Sequence, residues 1–320
     1  MNSLDVIVPV APDEPFSIVK RSVEHLSNLQ HPDDTRVSIT YVVDQPDDPA
    51  RYRELEQEDI EFIFREDTAG KRAGALLYAL DQLDPNEYVS FLDVDIRPDE
   101  DFLPSCLQVL ESHEDCRLVT GQRFITNAGE GWVPRMVAQG YHFLNDQQRL
   151  AQLLLTYNHT NGCNGVLDAD AVRELGFNTD QLTPDVDFTE RMYRNGWHMR
   201  VTDETRIGEQ APVSFSDFYQ QQKRWMGGAT ENLFRHYSRF LRTNPRIALG
   251  WYGQLLFPYL SILTLPLIPL YGIRTAENYA RDMPLLGTYI FFYWFTSTIM
   301  LFNVLRGRTQ RWVTPERSEI

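Results

Sequence analysis

Two stretches in the last third of the chain carry no formal charge, residues 247–273 and 284–305. A helix needs about 20 apolar residues to cross a bilayer core, so each stretch is long enough to span. Two such uninterrupted runs are costly to hide in a soluble chain of 320 residues, and the expectation is a two-helix transmembrane hairpin. Tyr252, Tyr271, Tyr289 and Trp294 are candidate interface anchors. Arg235, Arg239, Arg242 and Arg246 precede the first run and Arg306, Arg308 and Arg311 follow the second, against Arg274 and Arg281 between them. The positive-inside bias then expects a multi-pass protein of the cell membrane with both termini cytoplasmic and 274–283 outside. Pro258, Pro266 and Pro269 predict kinks in the first run. Just upstream, 215–242 interleaves Phe218, Trp225, Phe234 and Tyr237 with Arg and Lys, the pattern of an amphipathic helix on a membrane surface.

The first two thirds read differently. Residues 4–10 form an apolar, β-prone run, 14–29 carry apolar residues at helical spacing, and 37–43 are the next strand, ending at Asp44. A short strand over 61–64, a helix over 69–83 and a strand over 88–92 follow, with one more strand at 118–121. Strands alternating with helices predict a parallel sheet. The pattern from 127 to 155 is helical, a further helix starts near Asp168, and Pro184-Asp185-Val186-Asp187 opens another that Gly196 ends.

Charge narrows the function classes. There are 45 acidic and 30 basic residues, a formal charge of −15, and lysine occurs only at Lys20, Lys71 and Lys223. With no basic stripe to neutralise phosphates, a general nucleic-acid binder is excluded. So acidic a surface suits solubility at high salt, the expectation for a halophilic source. Cys106, Cys116 and Cys163 have neither an even count nor metal-type spacing, so reduced, buried thiols are expected. With the strand-like run starting at residue 4 and no basic segment and apolar run before it, no cleavable signal is expected.

Several residues carry potential chemistry. The strand over 88–92 runs into Asp93-Val94-Asp95, with Pro98 closing the exit. Two carboxylates one residue apart on a turn can face one hard cation, and oxygen ligands suit Mg²⁺ or Mn²⁺. Asp44 closes another strand and Asp185 opens a helix, where it can favour the dipole or serve as general base. Lys71, in Ala69-Gly70-Lys71-Arg72-Ala73-Gly74, is a cation at a helix start that invites an anion such as a diphosphate. The loop Asn161-Gly162-Cys163-Asn164-Gly165 lets backbone approach a ligand. In Gln221-Gln222-Lys223-Arg224-Trp225 an Arg can fork a phosphate and a Trp can stack on a sugar, or the segment is simply a membrane-facing amphipathic turn.

In this order, Asp44, the Lys71 segment, Asp93-Val94-Asp95, the Asn161 loop, Asp185 and Gln221-x-x-Arg224-Trp225 before apolar helices resemble the family 2 glycosyltransferases, in the membrane branch of cellulose, chitin and hyaluronan synthases. The resemblance covers roughly 4–230. It implies an α/β GT-A fold, a Rossmann-like nucleotide-sugar-binding domain with a mixed central sheet, and inverting transfer from a nucleotide diphosphate donor, most commonly UDP-linked. It further implies that Asp44, Lys71, Asp93 and Arg224 bind the donor and that Asp95 with Asp93 binds a divalent metal. Asp185 would be the base, and Gln221, Trp225, Asn161 and Gly162 would meet the acceptor. Pro184 stands where the family usually has an acid, and only two apolar runs follow the Gln-Arg-Trp motif.

The expected domains are a catalytic 1–213, an interfacial 214–246 and a membrane part over 247–320. The acceptor is a polysaccharide or, since two helices make a poor channel unless they oligomerise, a polyprenyl phosphate or glycolipid taking one sugar. A non-catalytic membrane scaffold is the rival of another class. A nucleotidyltransferase needs a Gly-rich loop after the first strand, and Val10-Ala11-Pro12-Asp13 has none.

Overall fold

The structure, a computed structural model, describes residues 2–158, 163–275 and 279–308. Its first elements are β1 (Asn2–Val10), α1 (Phe16–Leu26), β2 (Thr35–Asp44), α2 (Pro49–Arg53), β3 (Ile60–Arg65), α3 (Lys71–Leu83), β4 (Tyr88–Phe91), β5 (Arg97–Pro98) and α4 (Phe102–Glu111). Then come β6 (Cys116–Ile125), α5 (Trp132–Leu155), β7 (Gly165–Asp168), α6 (Ala169–Leu175), α7 (Pro184–Arg194), β8 (His198–Glu209) and α8 (Phe215–Phe240). The apolar end consists of α9 (Pro245–Leu260), a 3-10 stretch (Ser261–Leu267), α10 (Ile268–Thr275) and α11 (Tyr279–Leu305).

One eight-stranded sheet runs in the order β3-β2-β1-β4-β7-β6-β8-β5. Its first four strands are parallel, while β7 pairs antiparallel with β4 and β6, and β5 antiparallel with β8. The sheet is therefore mixed, as a GT-A fold requires. In β1, Leu4, Val6, Val8 and Val10 turn to one face, where Ile18, Val19 and Val23 of α1 and Leu103, Cys106 and Leu107 of α4 cover them. Each such side chain taken fully out of water contributes about 1.5–3 kcal/mol. On the other face Phe91 meets Phe177, which stacks on Phe188 of α7.

Among the described residues the chain divides into two compact units, 2–122 with 163–208, and 123–158 with 209–308. The core of the second unit joins Val133, Met136, Val137 and Tyr141 of α5 to Phe218 of α8, Ile268 of α10, and Met283, Leu286, Tyr289 and Ile290 of α11. The first apolar run is broken, with Pro258 inside α9 and Pro266 inside the 3-10 stretch. Segments Pro245–Ile273 and Ala280–Leu305 are long and apolar enough to cross a membrane, and their most apolar windows are only 22% and 33% buried. That outward-facing apolar surface points to membrane association rather than to core helices of a soluble protein.

Candidate active site

Because β1 to β4 are parallel, β2, β3 and β4 deliver their last residues to one edge of the sheet, where α/β folds bind ligands. Asp44 ends β2 and sits in register with Arg65, which ends β3. Arg65 Nε donates to Asp44 Oδ1 at 2.8 Å and Nη2 to Oδ2 at 2.6 Å, and both residues are buried. Burial raises the Asp44 carboxyl above its ordinary value while the Arg65 hydrogen bond and charge pull it down. Arg65 Nη1 also donates to the Ala69 carbonyl at 2.8 Å, tying Asp44 to the turn that opens α3. That turn needs glycine twice. Gly70 has φ +71°, and a Cβ on Gly74 would stand 1.9 Å from the Ala69 oxygen.

The turn sets which basic side chain faces the site. Lys71 is exposed with φ +52°, whereas Arg72, one residue on, is ion-paired with Asp93. Leu92, Val94 and Ile96 enter the core, which leaves Asp93 and Asp95 on the other side of the turn closed by Ile96 N–H on the Asp93 carbonyl, 2.9 Å. Asn164, beside Phe91 just before β7, accepts the Asp93 N–H at 3.1 Å and donates to its Oδ2 at 3.3 Å. Burial opposes the charge of Arg72, but the Asp93 carboxylate and its hydrogen bond outweigh it and raise the guanidinium, with smaller help from Cys163 and Asp185.

Asp185 lies in the first turn of α7, directly after Pro184. Its carbonyl accepts from Thr189 Oγ1 at 2.9 Å and from Cys163 Sγ at 3.9 Å. Burial pushes the Cys163 thiol well above its usual value, with Asp185 adding to the shift, so this cysteine stays a neutral thiol. Asp187 has a structural duty: it is buried and holds Arg191 at 2.8 Å, whose other nitrogens cap the carbonyls of Leu175 and Gly176. The first unit thus holds Asp44 with Arg65, and Asp93 with Arg72 and Asn164, whose neighbour Cys163 reaches the Asp185 carbonyl, with Asp95 on the same turn as Asp93. Among the described residues there is no group of three or more His, Cys, Asp or Glu side chains able to hold a metal.

In the second unit, α8 is opened by Ser214, whose Oγ accepts the Asp217 N–H at 3.1 Å. Gln221, Arg224 and Trp225 stand three and four residues apart and share one half-buried face of α8, while Gln222 and Met226 point inward. Asn161 and Gly162 lie outside the described residues. The sequence motifs left out Arg65 and held Arg72 and Asn164 without assigning either a role. Arg72 had a signal in its position beside Lys71 and Asn164 in its loop, but Arg65 and the Asn164–Asp93 contact are revealed only by pairing between distant segments.

A family model described as glycosyl transferase family group 2 matches residues 88–305, about two thirds of the chain. Glucomannan 4-beta-mannosyltransferase 7 of Arabidopsis thaliana is 29% identical over 229 residues, covering 67% of this chain and 41% of the relative. Glucomannan 4-beta-mannosyltransferase 1 of Oryza sativa subsp. japonica is 30% identical over 196 residues, 60% of this chain and 37% of the relative. The chain spans less than half the length of these relatives. Among solved structures, the mannosyltransferase PcManGT from Pyrobaculum calidifontis, in complex with GDP-Man and Mn²⁺, superposes with a TM-score of 0.65 at 14% identity, covering 92% of this chain and 86% of that one. That likeness establishes the GT-A fold. With the family model matched over about two thirds of the chain, the chain belongs to glycosyl transferase family group 2.

Proposed function

We propose that the chain transfers a sugar, with inversion, from a nucleoside-diphosphate donor to a growing polysaccharide at the cytoplasmic face of the membrane. The observations that support this reading are that Arg72 pairs with Asp93, that Asn164 accepts the Asp93 N–H, and that its neighbour Cys163 reaches the backbone carbonyl of Asp185. Inversion needs a base on one side of the sugar and charge stabilisation on the other. Asp185 is the base that takes the acceptor hydroxyl proton. Asp44, Lys71, Arg72, Asp93 and Arg224 hold the donor, and Gln221 and Trp225, with Asn161 and Gly162, meet the acceptor. The buried, neutral Cys163 fits a direct displacement with no protein nucleophile. The catalytic part is assigned to 1–213, the interfacial part to 214–246 and the membrane part to 247–320.

Two carboxylates on one turn, one of them already paired with an arginine, suit a hard cation that completes its shell with diphosphate oxygens and water. Asp95, with Asp93, would hold Mg²⁺ or Mn²⁺, which supplies positive charge against the departing diphosphate. The relatives named as mannosyltransferases, and PcManGT with its GDP-Man, favour a mannosyl donor and make GDP-mannose the first to test, beside UDP-sugars. The outward-facing apolar surface of the second unit favours, as a second reading, a single transfer to a lipid-linked acceptor.

The test is release of nucleoside diphosphate by the detergent-solubilised chain from GDP-mannose and a panel of UDP-sugars, with and without EDTA, beside Asp185→Asn. Release from one donor that stops with EDTA and falls about 10²–10⁴-fold in Asp185→Asn is expected. Full activity in the variant would remove Asp185 from the role of base, and product length separates polymer from single transfer.

A further inference from the structure

Acids are unevenly spread along this chain. Residues 232–276 contain no Asp or Glu, although the chain carries 45 of them, and Arg235, Arg239, Arg242 and Arg246 crowd the start of that window. The four lie over the last turns of α8, the connection after it and the first turn of α9. That connection is firmly built. The Arg242 N–H donates to the Arg239 carbonyl and the Thr243 N–H to the Phe240 carbonyl, both at 3.1 Å, and Asn244 caps α9 by accepting the Arg246 N–H at 2.9 Å. Phe240 stacks on Trp251 at 4.4 Å, and the Tyr252 hydroxyl donates to the Tyr237 carbonyl at 2.7 Å, so α9 is fastened to the end of α8.

All four arginines are exposed. Arg235 answers Glu231 one turn before it, whose carboxyl burial raises and this arginine lowers. Among the described residues Arg239, Arg242 and Arg246 form no ion pair. Beside them runs an apolar stripe: Phe234, Tyr237 and Leu241, spaced three and four apart, are exposed, whereas Asn232, His236 and Phe240 point inward. Neighbouring positions on a helix stand about 100° apart, so arginines and apolar side chains share the outer surface of α8. Leu249, three positions after Arg246, is exposed as well and carries the stripe onto α9. Arginine stems lie along apolar surface while their charged ends reach outward, the composition of a surface that settles at headgroup level.

We propose that Arg239, Arg242 and Arg246, with the apolar stripe beside them, form a docking surface for the phosphate headgroups of anionic phospholipid, and that the chain selects such lipid over zwitterionic lipid. A soluble anion or an acidic protein would answer the guanidinium groups but not the exposed Phe234, Tyr237 and Leu241. Lipid answers both, and this surface runs without a break into Pro245–Ile273, a segment long and apolar enough to cross a membrane. A chain of formal charge −15 is repelled as a whole by an anionic bilayer, so attraction has to be concentrated locally. Guanidinium groups that fork phosphate oxygens supply it, each raising the preference about fivefold when close to an anionic leaflet.

The test reads lipid association and needs no activity, so it stands whether or not the proposed sugar transfer does. The full-length chain is reconstituted in phosphatidylcholine, and spin-labelled phosphatidylglycerol and phosphatidylcholine are compared for the fraction held motionally restricted against the protein. A preference for phosphatidylglycerol of about fivefold or more is expected, shrinking as KCl is raised. It should fall toward one in the triple variant Arg239→Gln, Arg242→Gln, Arg246→Gln, whose unchanged near-UV circular dichroism shows that Phe240 still packs on Trp251. Equal association of the two lipids with the unaltered chain overturns the proposal without recourse to any variant, and so does an undiminished preference in the triple variant. Excess inorganic phosphate at constant ionic strength separates the two sources of phosphate: loss of the preference would assign the surface to a free anion and overturn the lipid assignment.

Discussion

Arg65 grips Asp44 with two parallel N–H groups, and the same guanidinium holds the carbonyl of Ala69. Removing one partner of a buried pair leaves the other uncompensated, at about 3–5 kcal/mol. Arg65→Gln should therefore lower the urea midpoint strongly, and Arg65→Gln with Asp44→Asn should recover much of the loss. The pH dependence has a definite sign. Burial already raises the Asp44 carboxyl, and without the guanidinium it rises further, so the folded state keeps a proton that the unfolded chain releases. The single variant should thus lose stability as pH rises from the ordinary carboxylate value toward the raised one. An unchanged urea midpoint in Arg65→Gln would count against the pair as a structural tie.

Arg72 and Lys71 are neighbours with different surroundings. Arg72 is paired with Asp93 while Lys71 is exposed. A charge-assisted hydrogen bond contributes about 1.5–3 kcal/mol, so Arg72→Gln should raise the donor KM roughly 10- to 100-fold. Lys71→Gln should raise it less. Steady-state kinetics with whichever donor the release assay selects gives the comparison, and equal losses would mean that both cations reach the diphosphate.

His25 donates from Nε2 to the Pro98 carbonyl at 2.7 Å, which fits the neutral ring. Burial lowers its pKa, as Arg97 also does, against the Pro98 carbonyl, Glu100 and Asp99. His198 is lowered by burial too, with Arg200 assisting and Asp115 opposing. A base held neutral in the fold contributes stability that is fully present above the ordinary histidine value, about 6.5, and is lost as pH falls below it. Thermal unfolding should show a decline below that pH, shallower in His25→Gln, whose amide can still donate to Pro98. A parallel decline in wild type and variant would assign the loss to other groups.

Gly140 lets α11 approach α5, with the Tyr289 ring where a Cβ would sit. Alanine normally helps a helix by about 0.5–1 kcal/mol over glycine, but overpacking costs about 1–3 kcal/mol. Gly140→Ala should therefore destabilise the second unit, and Tyr289→Leu in the same chain should restore most of the loss. Chemical unfolding monitored by tryptophan fluorescence gives both values.

Where strand ends carry acids, the site was legible as geometry. Leu92, Val94 and Ile96 alternate into the core, so Asp93 and Asp95 had to turn the other way, and Asp44 closes an unmistakable apolar strand. The choice between Lys71 and Arg72 was hidden, because neighbouring helical residues point about 100° apart and the left-handed Gly70 cap selects the one that faces inward. Asn164 reaches Asp93 across 71 positions, a pairing no local pattern encodes. β7 has four residues, and β8 reads HMRVTDETRIGE, too charged to look like a strand, so of the antiparallel half only β6 showed locally, at 118–121, and the mixed sheet was an expectation of the family resemblance.

The placement of α5 between β6 and β7 sets an order of events during synthesis. Tyr141 and Gly140 leave the ribosome roughly 150 residues ahead of Tyr289, the partner that covers them. At about 5–20 residues per second the gap is on the order of 8–30 s. During it the sheet unit can receive β7 and β8 and close, while α5 still shows a naked apolar stripe. The nascent chain exposes most apolar surface in that interval, after the sheet is complete and before the apolar helices are.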